Sequence, residues 1–272
     1  MVRHGLCLAN IGTYADPRTV VALAEEAEQA GWEGLLVWDH LGFVWGPPAA
    51  DPWVTLAAVA ARTSSLVLGT NVTPVPRRRP HVLAHQVATL DVLSGGRVVF
   101  AAGIGGVASE FTSFGEEGDA RVRAEMLDEG LEVLRALWSG ERVDHQGRHY
   151  TVDGVTLAPR PVQERLPIWI GGNSKPALRR AARYDGWAAD TTSPEGMTLS
   201  PEDVSRSLET IRSLRDSDNP FDVVVMGHVD PGDRETPTAY REAGATWWLE
   251  NVHDRRGNFD EMLALVRHGA GR

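Results

Sequence analysis

Cysteine is nearly absent from this chain of 272 residues: Cys7 stands alone, so no internal disulfide forms and no cysteine pair can hold a metal. Lysine is as scarce, with Lys175 the one lysine among 27 basic residues, and arginine fills the other cationic positions. No apolar run approaches the ~18 residues needed to cross a bilayer. Met1 to Asn10 lacks a charged leader segment and a cleavage pattern, and reads as a strand rather than a signal peptide. These absences predict a soluble, cytoplasmic protein. The net charge of -10, from 37 acidic and 27 basic side chains, includes no long run of one sign, so nucleic acid and anionic membranes are poor partners and a small molecule is the better one. The setting of Cys7 in Gly5-Leu6-Cys7-Leu8 predicts a buried small hydrophobe and not a nucleophile.

What is present is a rhythm. Short apolar runs predict eight strands, at Gly5 to Ala9, Gly34 to Trp38, Ser65 to Gly69, Arg97 to Ala102, Pro167 to Gly171, Gly186 to Ala189, Asp222 to His228 and Thr246 to Glu250. Helical patterns separate them, opened by Asp16-Pro17, Asp51-Pro52, Ser174 with Pro176, and Ser200-Pro201, each a capping residue followed by a proline in the first turn. Nearly continuous apolar strands such as Val223 to Met226 suit a parallel sheet covered on both faces. An open doubly wound sheet would carry a glycine-rich fingerprint after the first strand, and Ala9-Asn10-Ile11-Gly12-Thr13 has one glycine only. The fold class expected is α/β, a (β/α)8 TIM barrel forming a single domain over residues 1–272. A chain of this length can bury about three quarters of its unfolded surface in one domain. The stretch 111–166, between the fourth and fifth strands, reads as an insertion: a helix around Arg121 to Leu137, then a small hairpin within Gly140 to Thr156, expected as a lid.

In such barrels reactive residues lie at the C-terminal ends of strands. That rule selects Trp38-Asp39-His40, Gly69-Thr70-Asn71-Val72, Gly103-Ile104-Gly105-Gly106 with Glu110, Gly171-Gly172-Asn173-Ser174, and Asp190-Thr191-Thr192-Ser193. His40 is a candidate acid or base because its ordinary pKa lies near neutrality; the alternative is a local pairing with Asp39. Gly105 and its neighbours let backbone pass close to a flat ligand. Gly172 to Ser174 open a helix whose free N–H groups suit a phosphate, against ordinary capping by Ser174; Thr191 and Thr192 add hydroxyls. His81 and His85 have the i, i+4 spacing of metal ligands but lack a companion glutamate, and His85 reads as a packing residue. No metal is expected.

The stretches Leu66 to Val72, Arg79-Pro80, Ala88-Thr89-Leu90-Asp91-Val92-Leu93-Ser94-Gly95-Gly96-Arg97, Gly103-Ile104-Gly105, Glu110-Phe111 and Phe114-Gly115 resemble the bacterial luciferase-like monooxygenase superfamily. Pro159-Arg160-Pro161, Pro167 to Gly172 and Asp185-Gly186-Trp187 continue the likeness, which fades over the last ~45 residues. The resemblance implies a barrel binding coenzyme F420 or flavin mononucleotide (FMN), with a non-proline cis peptide at Asn71-Val72 supporting the ring. The Asp39-His40 pair and Glu110 resemble the F420-dependent branch. There His40 and Glu110 would be catalytic, and Asp39, Thr70, Asn71, Val72, Gly105, Gly172, Asn173, Ser174, Thr191 and Thr192 would bind cofactor, with Arg179 and Arg180 near a longer anionic tail. The implied reaction is hydride transfer between F420 and a small organic substrate. The alternative is an FMN-dependent monooxygenase supplied with reduced flavin by a separate reductase. Members often form homodimers. One F420-dependent type has a tryptophan where this chain has Val44, with Trp45 one place late, which puts a sugar-phosphate substrate in doubt.

Overall fold

Each apolar run read as a strand forms one. In a computed structural model describing residues 2–193, 196–229 and 232–269, the barrel strands are β1 (Arg3–Leu8), β2 (Gly34–Val37), β3 (Val67–Thr70), β4 (Val98–Gly103), β5 (Ile168–Gly171), β6 (Gly186–Ala189), β7 (Asp222–Gly227) and β8 (Trp247–Val252). They pair in parallel in the order β3-β2-β1-β8-β7-β6-β5-β4, and a β3–β4 pairing closes the ring. Closure removes the two free edges that an open sheet would expose.

Helices α1 (Pro17–Gln29), α2 (Pro52–Ala60), α3 (Pro80–Ser94), α4 (Ala120–Trp138), α5 (Lys175–Ala181), α6 (Pro201–Leu214), α7 (Glu235–Glu242) and α8 (Phe259–His268) follow the strands in turn. The cap signals act as read. Asp51 accepts from the N–H groups of Trp53 and Val54 at 2.9 and 3.0 Å, and Ser200 forms a capping box with Asp203. Asn258 and Glu261 build the same device before α8.

Side-chain alternation along the strands separates two cores. Cys7, Leu36, Ala101, Trp169, Trp247 and Leu249 belong to the cluster that fills the barrel, where the Trp169 and Trp247 rings pack 5.8 Å apart. Their neighbours, such as Leu6, Leu35, Phe100, Ile170 and Trp248, face the helices. The interior is therefore packed, and ligand chemistry is confined to the mouth.

The family-like Asp91 to Arg97 segment lies at the other end. Buried Asp91 accepts from the Gln163 side chain at 2.7 Å. Arg97, entering β4, donates to the carbonyls of Ser94, Leu66 and Thr63 at 2.7, 2.8 and 2.9 Å. This motif fastens the floor of the barrel.

The hairpin forms, from antiparallel strands Arg142–Gln146 and Thr151–Thr156, but not as a lid. It leaves the end of α4 remote from the mouth and folds back along that helix. There Glu129 accepts from the N–H groups of His149 and Tyr150 at 2.9 and 2.7 Å and lies 3.1 Å from His145 Nε2. The anchoring carboxylate sits mid-helix, so the hairpin covers the barrel flank.

Candidate active site

The mouth is organised by a bulge after β3. Gly69 pairs with Val99 and Thr73 with Ala102, so four steps along one strand oppose three along the other. Within the extra residue's span the Asn71–Val72 peptide is cis, where the resemblance places it. Val72 is wedged between strand ends: a Cβ on Gly103 would lie 2.7 Å from Val72 Cγ2, and one on Gly171 2.9 Å from Cγ1. Asn71 turns inward, its Nδ2 3.8 Å from Cys7 Sγ and 3.7 Å from Met226 Sδ. Thr70 is fully buried and pairs with Thr73 at 2.8 Å, so its hydroxyl belongs to the wall.

His40 follows β2. Asn10, itself buried, holds its backbone, donating to the His40 carbonyl at 2.9 Å and accepting from its N–H at 3.3 Å. Glu110 comes from the single helical turn Ser109–Thr112 after β4 and is 1% exposed. Both its oxygens lie 3.2 Å from His40 Nδ1. Oε1 also accepts from the Leu41 N–H at 2.6 Å, and Oε2 from Arg77 at 2.6 Å. Burial alone would raise the Glu110 pKa; the hydrogen bonds from His40 and Leu41 and the charges of His40 and Arg77 outweigh it and hold the carboxyl below its ordinary value. An ionised carboxylate can only accept, so Nδ1 of His40 carries a proton and Nε2 is the nitrogen left for a ligand.

Asp39 faces away from that nitrogen. Its carboxylate takes Arg77 at 2.6 Å and Arg78 at 2.8 and 3.0 Å, and Arg77 also donates to the Asp39 carbonyl at 2.7 Å. The pair of acids beside His40 is thus matched by a pair of guanidiniums. Trp38 and Trp45 meet the His40 ring edge-on, with centroids 5.8 and 4.7 Å away. Trp45, one place late in sequence, still reaches the histidine.

On the opposite side, Asn173 bridges the ends of β5 and β6, donating to the Asp190 carbonyl at 2.5 Å and accepting from its N–H at 3.0 Å. Gly172 has φ +106° and accepts from Trp187 Nε1 at 2.8 Å. Ser174 caps α5 through the Ala177 N–H at 3.4 Å. Thr191 is buried and bonds both backbone groups of Met226, whereas Thr192 lies in a short pairing with Met197. Gly105 has φ +83° and packs against the Phe111 ring, where a Cβ would clash at 2.6 Å. Arg180 is not available for an anionic tail: it is buried and held by Asp128 at 2.7 and 2.8 Å. His85 is exposed on α3, so it does not pack.

Several mouth residues escape the sequence reading. Arg77 and Arg78 are two. Asn251, at the end of β8, is 3% exposed and its Oδ1 has no hydrogen-bond partner. Trp247 and Leu249 point into the barrel, so Asn251, two residues on, points the same way at the mouth level. His253 packs on Trp38 with centroids 6.3 Å apart, and burial, followed by the neighbouring His228, Arg256 and Arg255, lowers its pKa. The available signal was polar residues closing the apolar runs of β7 and β8.

Residues 4–268 match the luciferase-like monooxygenase family. The chain belongs to that family. It is 34% identical over 226 residues to an F420-dependent glucose-6-phosphate dehydrogenase of Microbacterium testaceum, covering 79% of this chain and 66% of the relative. It is 36% identical over 179 residues to an F420-dependent hydroxymycolic acid dehydrogenase of Mycobacterium tuberculosis, covering 62% of this chain and 48% of that protein. The chain thus spans about two thirds of the first relative's length and just under half of the second's. The solved F420-dependent secondary alcohol dehydrogenase in complex with an F420–acetone adduct shares the fold, with a TM-score of 0.77 at 19% identity, over 98% of this chain and 99% of the other. Among the described residues no helix is long and apolar enough to cross a membrane.

Proposed function

We propose that this chain is an oxidoreductase that moves a hydride between coenzyme F420 and a small organic substrate, with His40 handling the substrate proton. The observation that carries the reading is His40 itself: Nδ1 is pinned by an ionised, arginine-held Glu110, which leaves Nε2 to exchange a proton at the mouth. The F420-dependent relatives in sequence support the same branch of the family.

The residues present fit a flat polar ring. Val72 forms a shelf locked between Gly103 and Gly171, and the unpartnered Oδ1 of buried Asn251 is an acceptor that a ligand donor would satisfy. When bound, F420 supplies the two-electron hydride acceptor or donor. In this reading Asn71, Val72 and Gly105 border the ring, and Gly172, Asn173, Ser174 and Thr192 lie along its phosphate-bearing side. Thr70 and Thr191 hold the wall from within, and Asp39 fixes the loop that carries His40. Glu110 positions the histidine and stabilises its protonated form once the substrate proton has arrived. The barrel acts as one domain over residues 1–272.

The test is a pair of titrations followed by absorbance and fluorescence. Oxidised F420 is expected to bind with a micromolar dissociation constant. Failure to bind F420 together with tight binding of reduced FMN would overturn the proposal and favour oxygen chemistry with a separate reductase.

A further inference from the structure

The rim above His40 is apolar. Among the described residues the exposed phenylalanine and tryptophan side chains are Phe43, Trp45 and Phe114, at 45%, 40% and 63% exposure, joined by Leu41 at 38%. All lie on the two loops that carry His40 and Glu110. Phe43 and Phe114 face each other across those loops, their rings perpendicular and 5.6 Å apart. Trp45 links the rim to the chemistry, since its ring meets His40 at 4.7 Å. Aromatic surface left in water forgoes the free energy of burial, and its concentration at one place marks a binding surface.

The charge beneath the rim points the same way. Arg77 and Arg78, the guanidiniums beside His40, are engaged by Glu110 and Asp39, so neither is free to receive a phosphate. A ligand here meets the Nε2 nitrogen of His40 inside and hydrocarbon outside.

Resting on the F420 reading above, we infer that the substrate is an uncharged, hydrophobic alcohol or its ketone, with its oxygen at His40 Nε2 and its hydrocarbon body lying on Leu41, Phe43, Trp45 and Phe114. In the oxidative direction the carbinol C–H bond breaks, its electron pair and hydrogen pass as hydride to oxidised F420, the O–H proton passes to His40 Nε2, and a C=O bond forms. The reverse direction returns both to the ketone.

The experiment measures kcat/KM with F420 for 2-alkanols from 2-propanol to 2-decanol and for glucose 6-phosphate. In parallel, 2-butanone and 2-decanone binding to the cofactor-free protein is followed by tryptophan fluorescence. Each added methylene is expected to raise kcat/KM by about two- to fourfold until the rim is covered. The double variant Phe43→Ser/Phe114→Ser is expected to flatten that gradient and to shrink the difference in affinity between the two ketones. Both changes are at exposed positions, and circular dichroism checks the fold. A flat series, or glucose 6-phosphate outperforming every alkanol, overturns the inference while leaving F420 chemistry standing. A wild-type dimer that the double variant dissociates also overturns it, because the rim would then be an interface between copies. Absence of F420 binding defeats the function proposed above, and the ketone titration still decides the rim.

Discussion

Arg77 and Glu110 meet at 2.6 Å, both almost completely buried, and this contact joins the two acids of the mouth into one network. The same guanidinium holds Asp39, which Arg78 also holds. Buried charges persist only when paired and hydrogen-bonded. Here the pairing has a functional consequence as well: Glu110, kept ionised, can only accept, and so it dictates which nitrogen of His40 is left to act.

Removal of the His40 ring should separate chemistry from binding. His40→Ala is expected to lower kcat for the proposed hydride transfer by about 10²–10⁴-fold, the range for loss of a general acid or base. The dissociation constant for F420 should change far less if, as proposed, Val72 supports the ring and His40 acts on the substrate. Stopped-flow reduction and equilibrium titration measure the two separately. Equal losses in both would place His40 in binding.

The acid side of the stability curve reports on Glu110. Its folded pKa lies below the value of 4.5 it has when unperturbed, so its ionisation stabilises the fold fully above about that pH. The contribution is lost as pH falls from 4.5 through the lower folded value. Glu110→Gln removes that step. Urea midpoints from pH 6 to pH 3 should fall less steeply for the variant than for the wild type. Parallel curves would mean that Glu110 is not preferentially ionised in the fold.

How much of this was legible in the sequence depends on the distance over which a residue acts. The eight strands and the caps at Asp51 and Ser200 were readable because hydrophobic period and capping are local. His40 and Glu110 were found by the rule of strand ends. Arg77 and Arg78 were missed because their meaning is a pairing with Asp39, 38 and 39 positions away, and nothing local in three successive arginines says which acid each will meet. The lid expected of the insertion did not extend to its hairpin for the same reason, since Glu125 and Glu129 of α4 meet Arg148, His145 and the backbone of His149 and Tyr150 along the helix. Arg180 looked free for an anion until Asp128 claimed it. Asn251 was overlooked because the likeness to relatives fades toward the C-terminus, although β8 obeys the same rule as β2.

The motif most diagnostic of the family should matter to folding and not to the cofactor. Arg97→Ala strips donors from the carbonyls of Ala60, Thr63, Leu66 and Ser94. Unsatisfied buried acceptors make a loss of about 2–4 kcal/mol the expected outcome in urea unfolding. F420 affinity of the folded fraction should stay within about twofold of wild type, because Arg97 lies at the barrel floor while F420 would sit in the mouth. A selective loss of affinity without destabilisation would contradict this division.

Cys7 should be chemically silent. It is fully buried under Asn71, and burial pushes its thiol up to about 12 against an ordinary value of 9.0, the weak hydrogen bonds from Asn71 and Trp38 opposing the shift. Thiolate is the reactive form, so both access and ionisation protect it. A chromogenic disulfide reagent at pH 8 is expected to find no thiol in the native protein and one after guanidinium unfolding. Rapid native labelling would show that the barrel interior opens to solvent at its mouth.

Gly171 offers the sharpest test of the shelf. A Cβ there would sit 2.9 Å from Val72 Cγ1, closer than side-chain carbons approach, on a valine that also packs over Gly103. Gly171→Ala must therefore displace Val72 and the peptide that carries it. Overpacking of this kind costs about 1–3 kcal/mol, and where the displaced group is the ring's support it should appear as roughly tenfold or greater loss of F420 affinity. Gly106→Ala is the matched control, since a Cβ at Gly106 meets nothing within 4 Å. Isothermal titration of both variants, with thermal melts to confirm folding, separates the cases. If Gly171→Ala binds F420 as tightly as Gly106→Ala does, Val72 is not what the ring rests on.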